Sequence, residues 1–473
     1  MDIAQYRRHA HRLVDWMADY LETVESRPVR SAVAPGEIEE RLPDRPPETG
    51  EPFERIFADF ERDLLPGVTH WQHPSFFAYF PANSSPPSVL AEMLTAALGL
   101  NCMLWQTSPA GTELETRALD WLRQMIGLPE GFAGVIQDTA SSATLCAILA
   151  ARERATEFAA NRRGVSGEDR LTVYTSAESH SSVEKAVRIA GLGSESLRAV
   201  PVGADGAMRC DALAEALERD VAAGARPILV VATLGTTGAS GFDRLDVAGE
   251  LCRRHGAMLH VDAAWAGTAA IAPEFRWMLE GVEHADSFVV NPHKWMMVNF
   301  DCSAHFVRDP AAFVRTFEIV PEYLRTAEHG RVIDYRDWGI ALGRRFRALK
   351  LWFVIRSYGV EGLRAIVRRH VGLAGELAEA IAREDDFEVV VAPRLALLCF
   401  RYRPSGIDDP AALDELNERL LHTLNDSGRL YLTQTRVAGA YVIRFCVGQT
   451  VTERRHVETA WSFIREAARG LPR

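Results

Sequence analysis

The alternation of apolar and polar positions divides the chain into predicted helices and strands. Within the first 27 residues, apolar side chains recur at steps of three and four, at Tyr6, Ala10, Leu13, Met17, Leu21 and Val24. This spacing predicts one face of an N-terminal helix. Either a partner subunit or the chain's own body must cover that face. A proline-rich connector over 28–52 follows, and a second helix is predicted over Phe53–Leu65.

Short apolar runs alternate with helical patterns between about 85 and 345. The predicted strands are Ala133–Ile136, Leu171–Thr175, Pro227–Thr233, Ala257–Val261 and Ser287–Val290. Helical segments such as Ala143–Arg154 and Ser182–Ala190 lie between them. Strands separated by helices favour a mostly parallel, right-handed α/β sheet.

The C-terminal part of the chain shows a different pattern. A long helix is predicted near Arg344–Tyr358, and strands are predicted over Phe387–Val391, Leu395–Tyr402 and Ala440–Val447. This mixture is typical of a smaller α+β domain. A chain of 473 residues is too long for one small core. We therefore predict an N-terminal segment over 1–84, a large domain over 85–347 and a small domain over 348–473.

Composition narrows the class of protein. Hydrophobic residues make up 47% and charged residues 25%, as in a globular enzyme. The net charge of −11, with no long basic block, argues against nucleic acid as a partner. The seven cysteines are scattered, so the sequence predicts neither a metal site nor disulfides. The N-terminus does not resemble a signal peptide and no uncharged apolar run has membrane-spanning length, which predicts a cytoplasmic protein that does not contact a membrane.

Lys294 lies at the end of a predicted buried strand, in the run Asn291-Pro292-His293-Lys294-Trp295-Met296. Such a lysine is most often a solvated charge. Partial burial would instead lower its pKa and make the amine nucleophilic, so that it forms an imine (Schiff base) with an aldehyde cofactor. His293 is placed to contact the same cofactor.

Asp262 ends another predicted strand, in the run from His260 to Gly267. A carboxylate there commonly caps the following helix. It also suits the pyridine nitrogen of a cofactor, because a negative charge keeps that nitrogen protonated and the ring able to accept electrons. Ala264 is small enough for a ring to lie against it. Only in combination with Lys294 does Asp262 suggest pyridoxal phosphate.

Three further positions follow predicted strands, where ligands gather in parallel sheets. His180 is either a surface or capping residue or a ring that stacks on the cofactor. Thr139-Ala140-Ser141 opens a helix, so it is either an ordinary cap or a phosphate site. Thr237 either packs in a loop or reaches the 3-hydroxyl side of the cofactor or its phosphate.

Tyr323 lies in the polar stretch 320–330, which is typical of a mobile lid. A phenol on such a lid would protonate the product carbanion. Tyr79, Phe80, Pro81 and Trp105 are candidates for an aromatic substrate pocket, although core packing explains Tyr79 and Phe80 equally well. No arginine accompanies them, which favours a flat, apolar substrate over an acidic one.

Taken together, these motifs resemble the group II pyridoxal-phosphate decarboxylases, most closely the aromatic-L-amino-acid decarboxylases. The resemblance is carried by segments 77–81, 108–110, 112–115, 260–267, 291–295, 299–304 and 342–347. It implies fold type I of the PLP-dependent transferases (aspartate-aminotransferase-like), with a seven-stranded, mostly parallel sheet in the large domain. It also implies a homodimer with shared active sites, in which the N-terminal helix embraces the partner.

The resemblance also implies roles for individual residues. Lys294 would carry the imine, Asp262 would contact the pyridine nitrogen and His180 would stack on the ring. The phosphate would be held by Thr139, Ala140, Ser141 and Asn291. Tyr323 would be the proton donor; related aldehyde synthases usually carry phenylalanine there, so tyrosine indicates simple decarboxylation.

The sequence departs from the family pattern around the substrate. Asn101 and Met103 replace apolar or aromatic residues of the pocket wall that the partner contributes, Ala82 replaces a threonine, and Gly343 leaves room for an indole. The phosphate turn carries Asp138 where many relatives have glycine. Tryptophan, phenylalanine, tyrosine and dopa all remain as substrates. An aromatic-aldehyde synthase, a decarboxylase of acidic amino acids and a non-catalytic dimer remain as alternatives.

Overall fold

The computed structural model describes residues 1–166, 169–319, 328 and 330–471. The chain forms two compact units. The first contains 1–81, 373–392 and 398–473, and the second contains 82–372 and 393–397. The three domain ranges expected from the sequence stay predictions.

The helices and strands are numbered in chain order. The helices are α1 Ile3–Thr23, α2 Glu37–Arg41, α3 Phe53–Asp59, α4 Pro86–Leu98, α5 Pro109–Ile126, α6 Ala140–Ala155, α7 Ala160–Arg163, α8 Ser182–Ile189, α9 Cys210–Ala222, α10 Leu245–His255, α11 Pro292–Trp295, α12 Pro310–Phe317, α13 Arg347–Ala382, α14 Pro410–Asp426 and α15 Arg454–Gly470. The strands are β1 Ala133–Gln137, β2 Leu171–Ser176, β3 Leu197–Val200, β4 Arg226–Thr233, β5 Met258–Asp262, β6 Ser287–Val290, β7 Ser303–Val307, β8 Phe387–Val391, β9 Leu397–Tyr402, β10 Thr433–Val437 and β11 Ala440–Cys446.

The second unit is built on a seven-stranded sheet with the order β1-β7-β6-β5-β4-β2-β3. Strand β7 is antiparallel to both of its neighbours, β1 and β6, while the other pairs are parallel. The predicted mostly parallel seven-stranded sheet is therefore confirmed. Of its strands, β3 and β7 were not predicted from the apolar pattern.

The core of this unit lies between the sheet and its helices. Every residue of β2, β6 and β7 is buried. On one side, Ile148 of α6 and Val187 of α8 pack in the same cluster as Val173 and Leu229 of the sheet. Strands that are buried on both faces read as continuous apolar runs, which is why β6 was predicted with its observed bounds.

The first unit contains a four-stranded sheet with the order β10-β11-β9-β8. Strand β8 has its predicted bounds, and β9 begins two residues later than predicted. Strand β10 was not predicted, because its burial alternates and only part of its side chains are apolar. The smaller α+β fold is confirmed.

Helix α1 lies partly on its own unit. Trp16 packs edge-on against Phe57 of α3 and Phe60, with ring centroids 5.9 and 5.5 Å apart. On the predicted apolar face, Val24 is buried beyond the helix end, while Tyr6 remains exposed. The chain's own body thus covers the C-terminal end of this face.

Two predicted helices have different bounds in the structure. The helix expected over Phe53–Leu65 is α-helical only to Asp59 and continues as a π-helical turn over Phe60–Leu64. The helix expected near Arg344–Tyr358 begins at Arg347 and ends at a non-helical break at Gly359 (φ 63°, ψ 170°), and a second helical segment of α13 then continues to Ala382. No helix among the described residues is long and apolar enough to cross a membrane.

Candidate active site

The predicted cofactor residues lie where parallel strands end. Asp262 is the last residue of β5, Asn291 follows β6 and Thr139 follows β1 by two positions. The strand ends are joined by backbone hydrogen bonds: Leu234 N–H donates to the Asp262 carbonyl (2.9 Å), and Asn291 N–H to the Ala264 carbonyl (3.0 Å). Parallel pairing therefore brings residues distant in sequence to one edge of the sheet.

Lys294 is half-buried in the single turn of α11. Its N–H donates to the Asn291 carbonyl (2.9 Å), and its own carbonyl accepts from Asn83 Nδ2 (2.6 Å). Asn83 is only 1% exposed, so the lysine backbone is held rigidly. Asn83 was not predicted from the sequence, although it lies two residues beyond the aromatic run 77–81.

The chain has only three lysines, which limits the candidates for an imine. Lys185 is exposed on α8. Lys350 is buried and forms an ion pair with Glu92 (2.9 Å), and burial lowers its pKa to about 8. Lys294 is the one lysine at the carboxyl edge of the sheet beside Asp262.

Asp262 is buried, and its Oδ1 accepts the N–H of Ala264 at 3.0 Å. This bond is local to the turn after β5, and the 3-10 helix that follows has Trp265, not Asp262, as its N-cap residue. A carboxylate offers about four acceptor positions, so one such bond does not prevent an ion pair with a cofactor nitrogen. Ala264 is itself buried, at 6% exposure.

His180 lies within electrostatic reach of both Lys294 and Asp262. Partial loss of hydration lowers its pKa, the Lys294 ammonium lowers it further, and Asp262 raises it. Its Nδ1 accepts the Ser182 N–H at 3.2 Å and lies 2.8 Å from Ser182 Oγ. At neutral pH the ring is thus uncharged, with its proton on Nε2. Three residues predicted from separate motifs are thereby brought together.

The neighbours of Lys294 hold its turn in place. His293 Nδ1 accepts the Cys302 N–H at 2.9 Å, and burial lowers the pKa of His293 to about 3, so this ring is neutral. The Trp295 indole stacks on Trp265 (4.9 Å between centroids) and donates to His370 Nδ1 at 2.9 Å. These contacts fix Lys294 from both sides along the chain.

The predicted phosphate site lies at the N-terminus of α6. Thr139 is the N-cap residue and its hydroxyl accepts the Ser142 N–H at 3.4 Å, while Ser141 is exposed. Asn291, the other residue predicted to hold the phosphate, is buried, and its Oδ1 accepts a hydrogen bond from Ser303 Oγ at 2.6 Å. Thr237 is half-buried in the turn after β4. The 16-residue helix offers free N–H groups and a positive dipole end to an anion.

Part of the predicted substrate pocket belongs to the first unit. Tyr79 has a positive φ of 50° and is 45% exposed, whereas Phe80 and Pro81 are buried. The Tyr79 hydroxyl lies 3.2 Å from that of Tyr431. A positive φ is unusual for a bulky residue and is often retained for function. Core packing thus accounts for Phe80 but not for Tyr79.

The other predicted substrate residues belong to the second unit. Asn101 Oδ1 accepts the Arg344 N–H at 3.0 Å, which places the exposed Asn101 beside Gly343. Asn101 Nδ2 lies 3.6 Å from Met103 Sδ. Trp105 donates its indole N–H to Glu113 at 2.9 Å. Ala82 is half-buried. Asn101, Met103 and Gly343 therefore form one group.

Tyr323, the predicted proton donor, lies outside the described residues. Among the residues that are described, no group of histidine, cysteine or acidic side chains is arranged to hold a metal ion.

Comparison with known proteins gives consistent results. The family model described as the pyridoxal-dependent decarboxylase conserved domain matches residues 35–403. The aromatic-L-amino-acid decarboxylase of Rattus norvegicus is 44% identical over 490 aligned positions, covering 100% of this chain and 99% of that protein.

Solved structures agree with the sequence matches. The Oryza sativa TDC structure with PLP and tryptamine has a TM-score of 0.96 at 38% identity, covering 99% of this chain and 98% of the other. The 4-hydroxyphenylacetaldehyde synthase of Rhodiola rosea has a TM-score of 0.92 at 35% identity, covering 100% and 99%.

Proposed function

The chain belongs to the pyridoxal-dependent decarboxylase family, and from that premise we propose that it removes the α-carboxylate of an aromatic L-amino acid as CO2 and releases the arylethylamine. The chain is a PLP-dependent amino-acid decarboxylase of fold type I. The observation that supports the proposal most directly is the meeting of Lys294, Asp262 and His180 at one edge of the sheet.

The donor set fits pyridoxal phosphate. An amine, a buried carboxylate and a helix N-terminus match the aldehyde, the pyridine nitrogen and the phosphate of this group. When bound, the group supplies a ring that accepts the electron pair released when the bond between Cα and the carboxylate breaks. Lys294 would hold it covalently, and Thr139, Ala140, Ser141 and Asn291 would hold its phosphate.

The remaining residues would orient the substrate and move protons. Asp262 would keep the pyridine nitrogen protonated through its negative charge. His180, which is neutral, would lie against the ring face opposite Ala264 without competing for the carboxylate of Asp262. Thr237 would contact the 3-hydroxyl side. Tyr323 would deliver the proton to Cα after CO2 has left.

The substrate class rests on the aromatic residues near the site motifs. Tyr79 and Trp105, which core burial does not account for, favour a flat, apolar side chain. Incubating the protein with PLP and a panel of tryptophan, phenylalanine, tyrosine, dopa and glutamate, with each amine quantified by mass spectrometry, tests this directly. Amine from the aromatic members alone supports the proposal, and amine from glutamate alone contradicts it.

An aldehyde synthase is the second candidate, because one structural relative carries that activity. Tyr323→Phe removes the proposed proton donor. We expect amine formation to fall roughly a hundredfold, as for loss of a general acid, while dioxygen consumption, aldehyde, ammonia and peroxide rise. Product analysis by mass spectrometry and a peroxide assay measures both. Unchanged amine yield would remove Tyr323 from this role, and aldehyde as the main wild-type product would favour the synthase.

We also propose that the protein acts as a homodimer. Helix α4 exposes Leu90, Leu94 and Leu98, spaced on one face, at 53%, 47% and 57%. Phe300 is also exposed, at 60%. It lies near α4 because the N–H of the preceding residue, Asn299, donates to Ser88 Oγ of that helix at 3.1 Å. Apolar patches of this kind are rarely left in water. A second copy of the chain would cover the patch, and the family resemblance implies a homodimer.

Placing glutamates on this face should separate the subunits. We expect Leu90→Glu/Leu94→Glu to elute at half the mass of the wild type in size-exclusion chromatography with light scattering, because burying two carboxylates is costly. Val221→Glu, at a position exposed to 47% on α9, serves as the control and should leave the mass unchanged. A wild type that is itself monomeric would contradict the proposal.

We propose a cytoplasmic location because the cysteine thiols are not paired in disulfides. All seven cysteines are free, and Cys210 is the only one that is not buried. Free thiols persist in a reducing compartment.

A further inference from the structure

Four polar side chains form a hydrogen-bonded row inside the apolar core of the second unit. Thr144 of α6, His260 of β5, Ser287 of β6 and His305 of β7 are each at most 1% exposed. Thr144 Oγ1 lies 3.4 Å from His260 Nε2, and His260 Nδ1 lies 2.8 Å from Ser287 Oγ. Ser287 Oγ lies 2.7 Å from His305 Nε2. None of the four was singled out for a role by the sequence argument.

The positions of the protons along this row follow from His305, the residue at its end. Among the described residues, His305 Nδ1 has no hydrogen-bond partner. A buried N–H without an acceptor is rarer than an unused acceptor, so the proton of His305 belongs on Nε2, where Ser287 Oγ accepts it. The Ser287 hydroxyl then donates to His260 Nδ1. The proton of His260 is left on Nε2, facing Thr144.

This arrangement opposes protonation of His260. A charged imidazole carries an N–H on both nitrogens, and an N–H on Nδ1 would meet the hydroxyl proton of Ser287. Burial acts in the same direction and lowers the pKa of His260 to about 4, whereas Asp262 raises it. The pKa of His305 is also held well below its ordinary value by burial and by His260.

His260 and Asp262 are two residues apart on β5, so their side chains project from the same face of the strand. A charged His260 would share the negative charge of Asp262. A neutral His260 leaves that charge undivided, and the undivided charge is what keeps a pyridine nitrogen protonated. The row thus links a remote strand, β7, to the carboxylate of the proposed site.

We infer that Ser287 and His305 are positioning residues that hold His260 in its neutral form, with the proton on Nε2. The full negative charge of Asp262 then remains available to the cofactor. The inference rests on the proposed function, because it needs Asp262 at the pyridine nitrogen. Other charged groups near the row are Arg154, Asp286 and Asp309, which line a cavity of about 40 Å³ beside Ser287.

The first test reads the tautomer itself. Nitrogen-15 NMR of the PLP-loaded protein, labelled at its fourteen histidines, distinguishes a protonated from an unprotonated ring nitrogen. The His260 signals are assigned by their loss in His260→Asn. We expect Nδ1 unprotonated and Nε2 protonated from pH 5.5 to 8. A proton on Nδ1 of His260 in the wild type overturns the inference, whether or not the protein forms amine.

The second test removes the donor that orients the Ser287 hydroxyl. His305→Leu frees the Ser287 hydroxyl to turn and accept from His260 Nδ1, so His260 takes up a proton at higher pH. We expect the acid limb of the kcat profile to move up by one pH unit or more, so that kcat on that limb falls severalfold while KM stays within twofold. His305→Gln restores a neutral N–H donor towards Ser287 and should restore the profile.

Thr172→Val is the matched control for general damage to the core. Thr172 is a buried hydroxyl of β2 that pairs with the Tyr174 hydroxyl at 2.9 Å, away from Asp262. The Thr172→Val substitution should lower the melting temperature and leave the pH profile of kcat unchanged. A His305→Leu profile that superimposes on the wild type overturns the inference. Absence of amine from the wild type would instead overturn the proposed function, while the NMR result still decides the tautomer.

Discussion

Replacing Lys294 with alanine is expected to lower kcat for amine formation by roughly a thousandfold or more, which corresponds to about 4 kcal/mol of activation free energy. Lys294 is the lysine beside Asp262 and His180, and its backbone is held by Asn83 and Asn291. Without this amine the cofactor is neither attached nor oriented for exchange with the substrate amine. Steady-state kinetics with saturating PLP measures the loss.

The attachment site is tested independently by chemical labelling. Borohydride reduction of the PLP-loaded protein, followed by digestion and mass spectrometry, should place the label on Lys294. Because the chain has only three lysines, labelling the variants Lys185→Ala and Lys350→Ala in the same way tests the two other possible attachment sites. Lys350 is the informative competitor, since its lowered pKa of about 8 makes it a better nucleophile than an exposed lysine. A label on Lys350, or none, would contradict the assignment.

Replacing Asp262 with asparagine is expected to lower kcat by roughly a hundredfold, or about 2.7 kcal/mol. The amide keeps the shape of the side chain and can still accept the Ala264 N–H, which the carboxylate accepts at 3.0 Å. It carries no charge, so the pyridine nitrogen loses its proton and the ring accepts electrons poorly. The substrate KM should change little, because the lost interaction acts mainly in the transition state.

A second buried carboxylate provides the control for this substitution. Asp243 accepts the N–H groups of Met208 (2.6 Å) and Thr233 (2.7 Å), and burial raises its pKa to about 6. Asp243→Asn should reduce thermal stability but leave kcat within threefold of the wild type. If Asp262→Asn retains more than half of the wild-type kcat, its carboxylate does not act on the cofactor.

The apolar pattern predicted the central strands but not the whole sheet. Strands β4 and β6 contain continuous apolar runs, at 227–232 and 288–290, because both of their faces are covered. Strand β3 lies at the sheet edge, is short and is only partly buried. Strand β7 is fully buried, but Ser303 and His305 interrupt its apolar residues, and it was not predicted. Ser303 Oγ donates to Asn291 Oδ1 and His305 Nε2 is hydrogen-bonded to Ser287 Oγ, whereas His305 Nδ1 has no partner among the described residues.

Helix bounds show the same division between local and tertiary information. Helix α1 was predicted from its spacing, and the Asp2 and Gln5 capping box is visible in the sequence. The end of the first helical segment of α13 was also predicted, because Gly359 reads as a helix end, and the structure has a non-helical break there (φ 63°). The second helical segment, which follows the break directly and runs to Ala382, was not predicted. Packing beyond the glycine decides whether the helix stops or resumes.

The sequence by itself predicted the cofactor, since Lys294, Asp262, His180 and the α6 N-cap lie at or just beyond strand ends and together suggest PLP. The family was identified from the resemblance of several sequence segments, and the parallel sheet was predicted from strands that alternate with helices. Only the tertiary structure decided how those groups are held: Asn83 on the lysine carbonyl, Cys302 on His293, and the row from Thr144 to His305 behind Asp262. The reason is physical. A strand end is encoded by local periodicity, whereas hydrogen-bond partners far apart in sequence are selected only when the sheet assembles and excludes water.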